Sequence, residues 1–219
     1  MAVRNVVAEL AVAYEARARH AVTVDAVGGV DAVRRIEAGA RYDFVVLAAS
    51  AIDQLAASGL VDPGTRTDVA RSRIAVAVPA AAPRPDIGSE AAVRDAMLAA
   101  RSIGYSTGPS GRHLAQLIER WNIRDALRER LIEAPPGVSV GTLIARGDVE
   151  LGFQQASELI DVAGIDVIGF LPADIQQATV FAAAAGGGTD RADAVRAWLA
   201  FLASREVDAT KHRHAMEPA

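Results

Sequence analysis

The sequence predicts an α/β protein of two lobes joined by more than one crossing of the chain, with mixed, mostly parallel sheets flanked by helices. Two observations carry that expectation. Apolar runs of strand length alternate with helix-period segments along almost the whole chain. A proline- and alanine-rich break at 79–88 then interrupts the alternation, and a strand-plus-helix pattern returns after about residue 178. The expected division is 1–78 with 180–219 as lobe 1 and 79–179 as lobe 2, each large enough to bury a core.

The elements follow in order. Residues 4–18 read as a helix with Val7, Leu10 and Tyr14 on one face. Val22, Val24 and Ala26 alternate as a strand ending at Gly28-Gly29, and a helix follows with Val30, Val33 and Ile36 inward and Gly39 as its stop. Phe44 to Ala49 is a continuous apolar run suited to a strand covered on both faces. Ser50 and Asp53 have capping-box spacing for the next helix, closed by Gly59, and Arg73 to Val78 is another apolar strand. Ser89 caps a helix carrying Val93, Met97 and Leu98; a strand at 102–105 then runs into the turn before a helix with Leu114, Leu117, Ile118 and Trp121 inward. A helical stretch at 124–131 leads to a turn at Pro135-Pro136-Gly137 and a short helix ending near Arg146-Gly147. Strands at 149–153, 167–170 and 178–185 follow, with a helix at 155–160 between the first two. Thr189 caps the last helix, with Val195, Trp198, Leu199 and Leu202 inward, and the residues beyond it read as a solvated basic tail.

Composition removes several functions. At 51% hydrophobic and 23% charged, with a net charge of −4, the 219 residues read as a globular chain. All but one of the basic residues are arginine and no basic run occurs, so nucleic acid is not an expected partner. The chain has no cysteine, which excludes disulfides, thiolate catalysis and cysteine-held metals. No metal and no cofactor is expected; His212 and His214 form a weak metal pair in the tail. Arg4 and Glu9 interrupt the first apolar stretch, so it does not read as a signal peptide.

Chemistry concentrates in the turns at strand ends, where open α/β sheets bind ligands. The clearest is 103–121, IGYSTGPSGRHLAQLIERW, in which a short strand enters a small polar turn and then an amphipathic helix. Unpaired N–H groups at a helix start, beside the hydroxyls of Ser106, Thr107 and Ser110, suit an anion. Ser110 also reads as an N-cap, a compatible role. Gly28-Gly29 and Gln154-Gln155 stand at the other two strand-to-helix turns, and each reads equally as an ordinary helix start. Arg112 is read as a solvated charge and His113 as a surface or packing residue. The P-loop, GxGxxG and GxSxG patterns are absent, and no acid–histidine pair is placed to activate Ser110.

Several segments together resemble a known family: VGGVDAVRRIEAG (27–39), DFVVLAASAIDQLAASGLVDPGTR (43–66), the GYSTGPSG turn, RGDVELGFQQASELI (146–160) and LPADIQQATVFAAA (171–184). They are similar to bacterial extracellular solute-binding proteins of the molybdate-binding type. That resemblance implies the type II periplasmic-binding fold, with crossing strands near 77–80 and 177–181 and a ligand cleft between the lobes. It implies a small anion, a molybdate-like oxyanion or small organic acid, held by neutral donors at Gly28, Gly29, Thr107, Ser110, Gly111, Val138, Gln154 and Gln155. It also implies an ABC-type transporter as partner and a periplasmic location, whereas a chain complete as given is expected in the cytoplasm.

The sequence departs from that pattern at three places. Glycines 28 and 29 stand where molybdate binders have serine, and Gln155 stands where they have tyrosine. The family's first strand, with its ligand serine, has no counterpart before residue 4, which leaves a sheet edge open to pairing with another chain, and so to oligomers. Some relatives resemble isomerases of small tricarboxylic acids, aconitate isomerases among them. An isomerase is therefore the alternative function, with Asp31 and Glu158 the carboxylates one helical turn from the candidate turns. A cytosolic sensor is the third.

Overall fold

The computed structural model describes residues 2–18, 20–135 and 137–219; Met1, Arg19 and Pro136 lie outside the described residues, and with Pro136 the middle of the turn read at 135–137. The chain forms two compact units, one made of residues up to Ser72 together with Thr179–Ala219, the other of Arg73–Ala178. In chain order, the first unit takes α1 (Arg4–Ala18), α2 (Gly29–Glu37), β1 (Phe44–Ala48), α3 (Ala49–Ala57) and β2 (Thr67–Ser72). The second holds β3 (Ile74–Pro79), α4 (Glu90–Ala99), β4 (Ile103–Tyr105), α5 (Pro109–Arg120), α6 (Arg124–Leu127), β5 (Leu131–Glu133), α7 (Val140–Ala145), β6 (Leu151–Gln155), α8 (Ala156–Leu159) and β7 (Ile165–Phe170). The chain returns to the first unit with β8 (Thr179–Ala185), α9 (Ala192–Ala203), α10 (Asp208–Arg213) and β9 (Glu217–Pro218). The first boundary falls before β3, not after it, because β3 pairs with β6 and β7.

The first unit's sheet runs β1-β8-β2-β9, every neighbouring pair antiparallel. Its central strand β8 is covered on both faces, so its side chains divide with the two-residue period of a strand. Phe181, Ala183 and Ala185 join Val7, Leu10, Tyr14, Trp198 and Leu202 from α1 and α9. Ala182 and Ala184 join Ile36, Ile52 and Leu55 from α2 and α3. Alanine at alternate positions lets helices sit close on both faces. On the α9 side Trp198 meets Tyr14 edge-on at 5.1 Å between centroids, a geometry that adds to simple burial.

The second unit's sheet runs β5-β4-β6-β3-β7. Parallel pairing is confined to β5-β4-β6, a smaller share than strand–helix alternation suggests. The reason is local: β3 and β7 bring the chain back beside β6 in the opposite sense. Val93, Met97, Leu114, Leu117 and Leu127 bury one layer against Ile103 and Phe153.

Several local expectations are corrected. Residues 20–28 form no ladder among the described residues, although Val22, Val24 and Ala26 are half-buried in alternation. Strand β2, TDVARS, carries no strand signature in the sequence because its polar residues dilute the apolar pattern. Helix α3 starts directly after β1, so Ser50 lies inside it and caps nothing. Thr189 does not cap α9; its hydroxyl donates to Asp43 at 2.8 Å. Val30 is exposed on α2, and only Ile36 of its apolar face is fully buried. The 208–219 tail is packed on the first unit, with His212 exposed: Lys211 and Met216 are buried, His214 meets Glu9 at 2.8 Å, and β9 pairs with β2. Among the described residues no helix is long and apolar enough to cross a membrane.

Candidate functional site

Strands β4, β5 and β6 run parallel, so their carboxyl ends share one edge of the second unit, and α5, α7 and α8 each begin there. Pro109 opens α5 at a position where its missing N–H costs nothing, and Gly108 precedes it without a side-chain cap. Ser110 is therefore the second residue of the helix and not its N-cap. It is buried, with its hydroxyl 3.1 Å from that of Ser106, while Gly108 N–H donates to Ser106 Oγ at 3.3 Å. Gly111 is dictated by close approach: a Cβ there would stand 1.6 Å from the Ser106 carbonyl oxygen. The turn is thus folded back on the first turn of α5. The N–H groups of Thr107, Ser110 and Gly111 find no acceptor among the described residues. These are donors at the positive end of a twelve-residue helix, the arrangement that receives an anion.

Helix α7 is seated over the same edge by two glycines. Gly104 and Gly152 face one another in the β4–β6 register. A Cβ on either would come within 3 Å of Val140, the first residue of α7. Ser139 caps that helix, accepting from Thr142 N–H at 3.0 Å, and Val140 N–H donates to Gln154 Oε1 at 2.8 Å. The Gln154 amide donates in turn to Glu158 Oε2 at 2.8 Å. Gln154 is buried and bonded at both ends, so it positions α7 instead of presenting its amide to a ligand. Val138, half-buried, spends its N–H on Pro135 O at 3.0 Å. Gln155 is buried at the end of β6. The link from Val140 through Gln154 to Glu158 had no signature in the sequence beyond the two glutamines.

Among the other candidates, Thr107 is exposed, and Arg112 is exposed and reaches Thr107 O only at 3.5 Å. His113 lies 2.7 Å from Ile175 O, a packing role. Gly28 and Gly29 stand at the start of α2 in the first unit, half-buried and exposed, with ordinary backbone angles at Gly28 and open space around a Cβ at Gly29. Asp31, in the first turn of α2, is 3.7 Å from Arg34.

Two groups near the second unit's turns have displaced ionisation. Burial raises the Tyr105 hydroxyl, and the charge of Glu133 adds to it. Burial also raises the Glu158 carboxyl above its ordinary value, and the Gln154 amide offsets only part of that. The folded state then holds the Glu158 proton more tightly than the unfolded chain. Its contribution to stability is lost as pH climbs from the ordinary value of 4.5 through the raised one. Glu158→Gln is accordingly expected to melt above wild type at about pH 8 and level with it at about pH 4. Parallel melting curves across that range would mean the carboxyl is not desolvated in the folded protein.

One antiparallel and one mixed sheet, each flanked by helices, with a polar turn opening a helix at the carboxyl end of a parallel strand, make this an α/β protein with a turn suited to a ligand. The chain belongs to the family of bacterial extracellular solute-binding proteins, whose sequence pattern matches residues 1–217. It is 38% identical over 167 residues to an aconitate isomerase from a Pseudomonas species; the match takes in 75% of this chain and 63% of the length of that protein. Among solved structures, the periplasmic molybdate-binding protein of Azotobacter vinelandii superimposes with a TM-score of 0.81 at 21% identity, over 98% of this chain and 94% of that one. The periplasmic binding protein AgtB of A. tumefaciens R10, in complex with agropinic acid, gives 0.77 at 12% identity, over 100% and 80%. At these identities the structural likeness shows a shared type II periplasmic-binding fold.

Proposed function

We propose that this protein captures a small anion, an oxyanion or small organic acid, at the turn 106–111, and that it delivers its ligand to an ABC-type membrane transporter. The observation that supports this is the folded-back turn, with three N–H groups that have no acceptor among the described residues beside the Thr107 and Ser110 hydroxyls. Neutral donors at a helix start bind an anion without a countercharge, which suits a carrier that must also release it. Family membership supports the transport role.

Calorimetry against molybdate, sulfate, citrate and cis-aconitate tests the reading. Binding of at least one is expected, weakened about 10- to 100-fold in Ser110→Ala, the usual worth of a hydrogen bond to a charged group. No heat with any of them, or an unchanged affinity in the variant, would overturn the site.

The identity to an aconitate isomerase favours a second reading, an isomerase of a small tricarboxylic acid on the same turn. Glu158 is then the candidate base: a desolvated carboxyl with a raised pKa is a stronger base once it has lost its proton. Conversion of cis-aconitate followed by NMR, falling about 100-fold or more in Glu158→Gln, would promote this reading over transport. Absence of turnover by wild type would end it.

A further inference from the structure

Lys211, on α10, is the only lysine among the chain's 23 lysine and arginine residues. It is also the one charged side chain that is fully buried among the described residues, at 1% exposure. A buried ammonium is costly unless its donors are met. Its single partner among the described residues is Asp208, at the start of the same helix, with Nζ 3.4 Å from Oδ1. That is longer than the roughly 2.7–2.9 Å of a good charge-assisted bond. An ammonium carries three N–H donors, so about two of them have no acceptor among the described residues. Lys211 lines a crevice of about 510 Å³ in the first unit, within the roughly 300–1,000 Å³ of small-molecule sites. Asp68 and Val69 of β2, Ala203 at the end of α9, Arg205 in the turn before α10, and Asp208 line it too. Ala219 also reaches the crevice, with no bond to either cation.

We infer that this crevice binds a small monocarboxylate, whose carboxylate group bridges Lys211 and Arg205. Arg205 is exposed and has no ion pair among the described residues. Its planar fork takes a carboxylate through two parallel bonds, while the Lys211 ammonium supplies a compact charge from below. A carboxylate there gives the spare Lys211 donors the acceptors that they lack. The acids of the crevice set the ligand's charge. Asp68 is balanced by Arg66 at 2.9 Å, and Asp208 offsets one of the two remaining cations. One net positive charge is left, which a monoanion neutralises and a dianion exceeds. Val69 and Ala203 offer apolar surface to a short hydrocarbon part. The turn 106–111 belongs to the other unit, and anion capture there plays no part in this inference.

The single lysine makes the test specific, because lysine labelled with carbon-13 and nitrogen-15 gives one side-chain NMR signal from the full chain. The probe is sodium propanoate, titrated at constant ionic strength. A saturable one-to-one shift of the Lys211 signal is expected, with a melting temperature that rises with propanoate concentration. Arg205→Ala, a change at an exposed position, should weaken binding about tenfold or more, the worth of a hydrogen bond to a charged group. Asp208→Asn should tighten it, since a like charge and a competing acceptor are removed together. Sodium sulfate should bind more weakly than propanoate. Ser110→Ala should leave the Lys211 titration unchanged, which separates this site from the anion turn. No shift at Lys211, indifference to Arg205→Ala, weaker binding in Asp208→Asn or tighter binding of sulfate overturns the proposal. So does a titration lost in Ser110→Ala, because propanoate would then sit at the other site.

Discussion

Gly111→Ala is expected to abolish anion binding and to lower stability by about 3 kcal/mol or more, at the top of the range for overpacking a tight site. The added methyl would sit 1.6 Å from the Ser106 carbonyl oxygen, a backbone atom that no rotamer change can move aside. Either Ser106 turns away or α5 loses its first turn. Both outcomes scatter the N–H groups of Thr107, Ser110 and Gly111. Thermal denaturation should show a fall of about 6–12 °C for a chain of this size, and calorimetry should show no binding of any anion that wild type takes. An alanine variant that melts and binds like wild type would mean that the turn does not fold back on the helix. Ser110→Ala offers the contrast, since it deletes one hydroxyl and leaves the backbone where it is.

Gly152→Val should cost about as much by a different route. Its Cβ would come 2.5 Å from Ile144 Cδ1 and 2.7 Å from Val140 Cγ1, both on α7. Helix α7 must lift from β6, at about 1–3 kcal/mol. Lifting it also breaks the 2.8 Å bond from Val140 N–H to Gln154 Oε1, leaving a buried donor and a buried acceptor unpaired at a further ~1–3 kcal/mol. A melting temperature lower by about 10 °C is expected, with a loss of protection at the Val140 amide in hydrogen exchange. Retained protection of that amide would show that α7 is not held by this contact.

Where a signal was local in the chain, it was legible. FVVLA at 44–48 is apolar at every position because β1 is buried from both sides, and that run needs no partner to be recognised. Ser89 caps α4 as its position suggested, with Ala92 N–H donating at 3.2 Å. The Ser106–Gly111 turn showed itself by a proline and two glycines directly after a strand. Long-range contacts were not legible. Val140 and Gln154 are 14 residues apart and on different elements, and nothing in either neighbourhood announces their bond. Residues 22–26 have a strand's pattern without its partner, so periodicity named an element that pairing does not complete. Thr189 looked like a cap because it precedes a helix, but Asp43, which takes its hydroxyl, is 146 positions away.

The return of the chain to the first unit at Thr179 sets an order of events during synthesis. The second unit is one continuous stretch, Arg73–Ala178, and has all its strands once that stretch leaves the ribosome. The first unit has β1 and β2 by residue 72, but these do not touch until β8 arrives between them more than a hundred residues later. Units that fold during translation do so as their own residues emerge. The middle of the sequence therefore matures first. The amino-terminal third waits with β1 and β2 unpaired, and this interval is when the nascent chain is most open to chaperones and to mispairing.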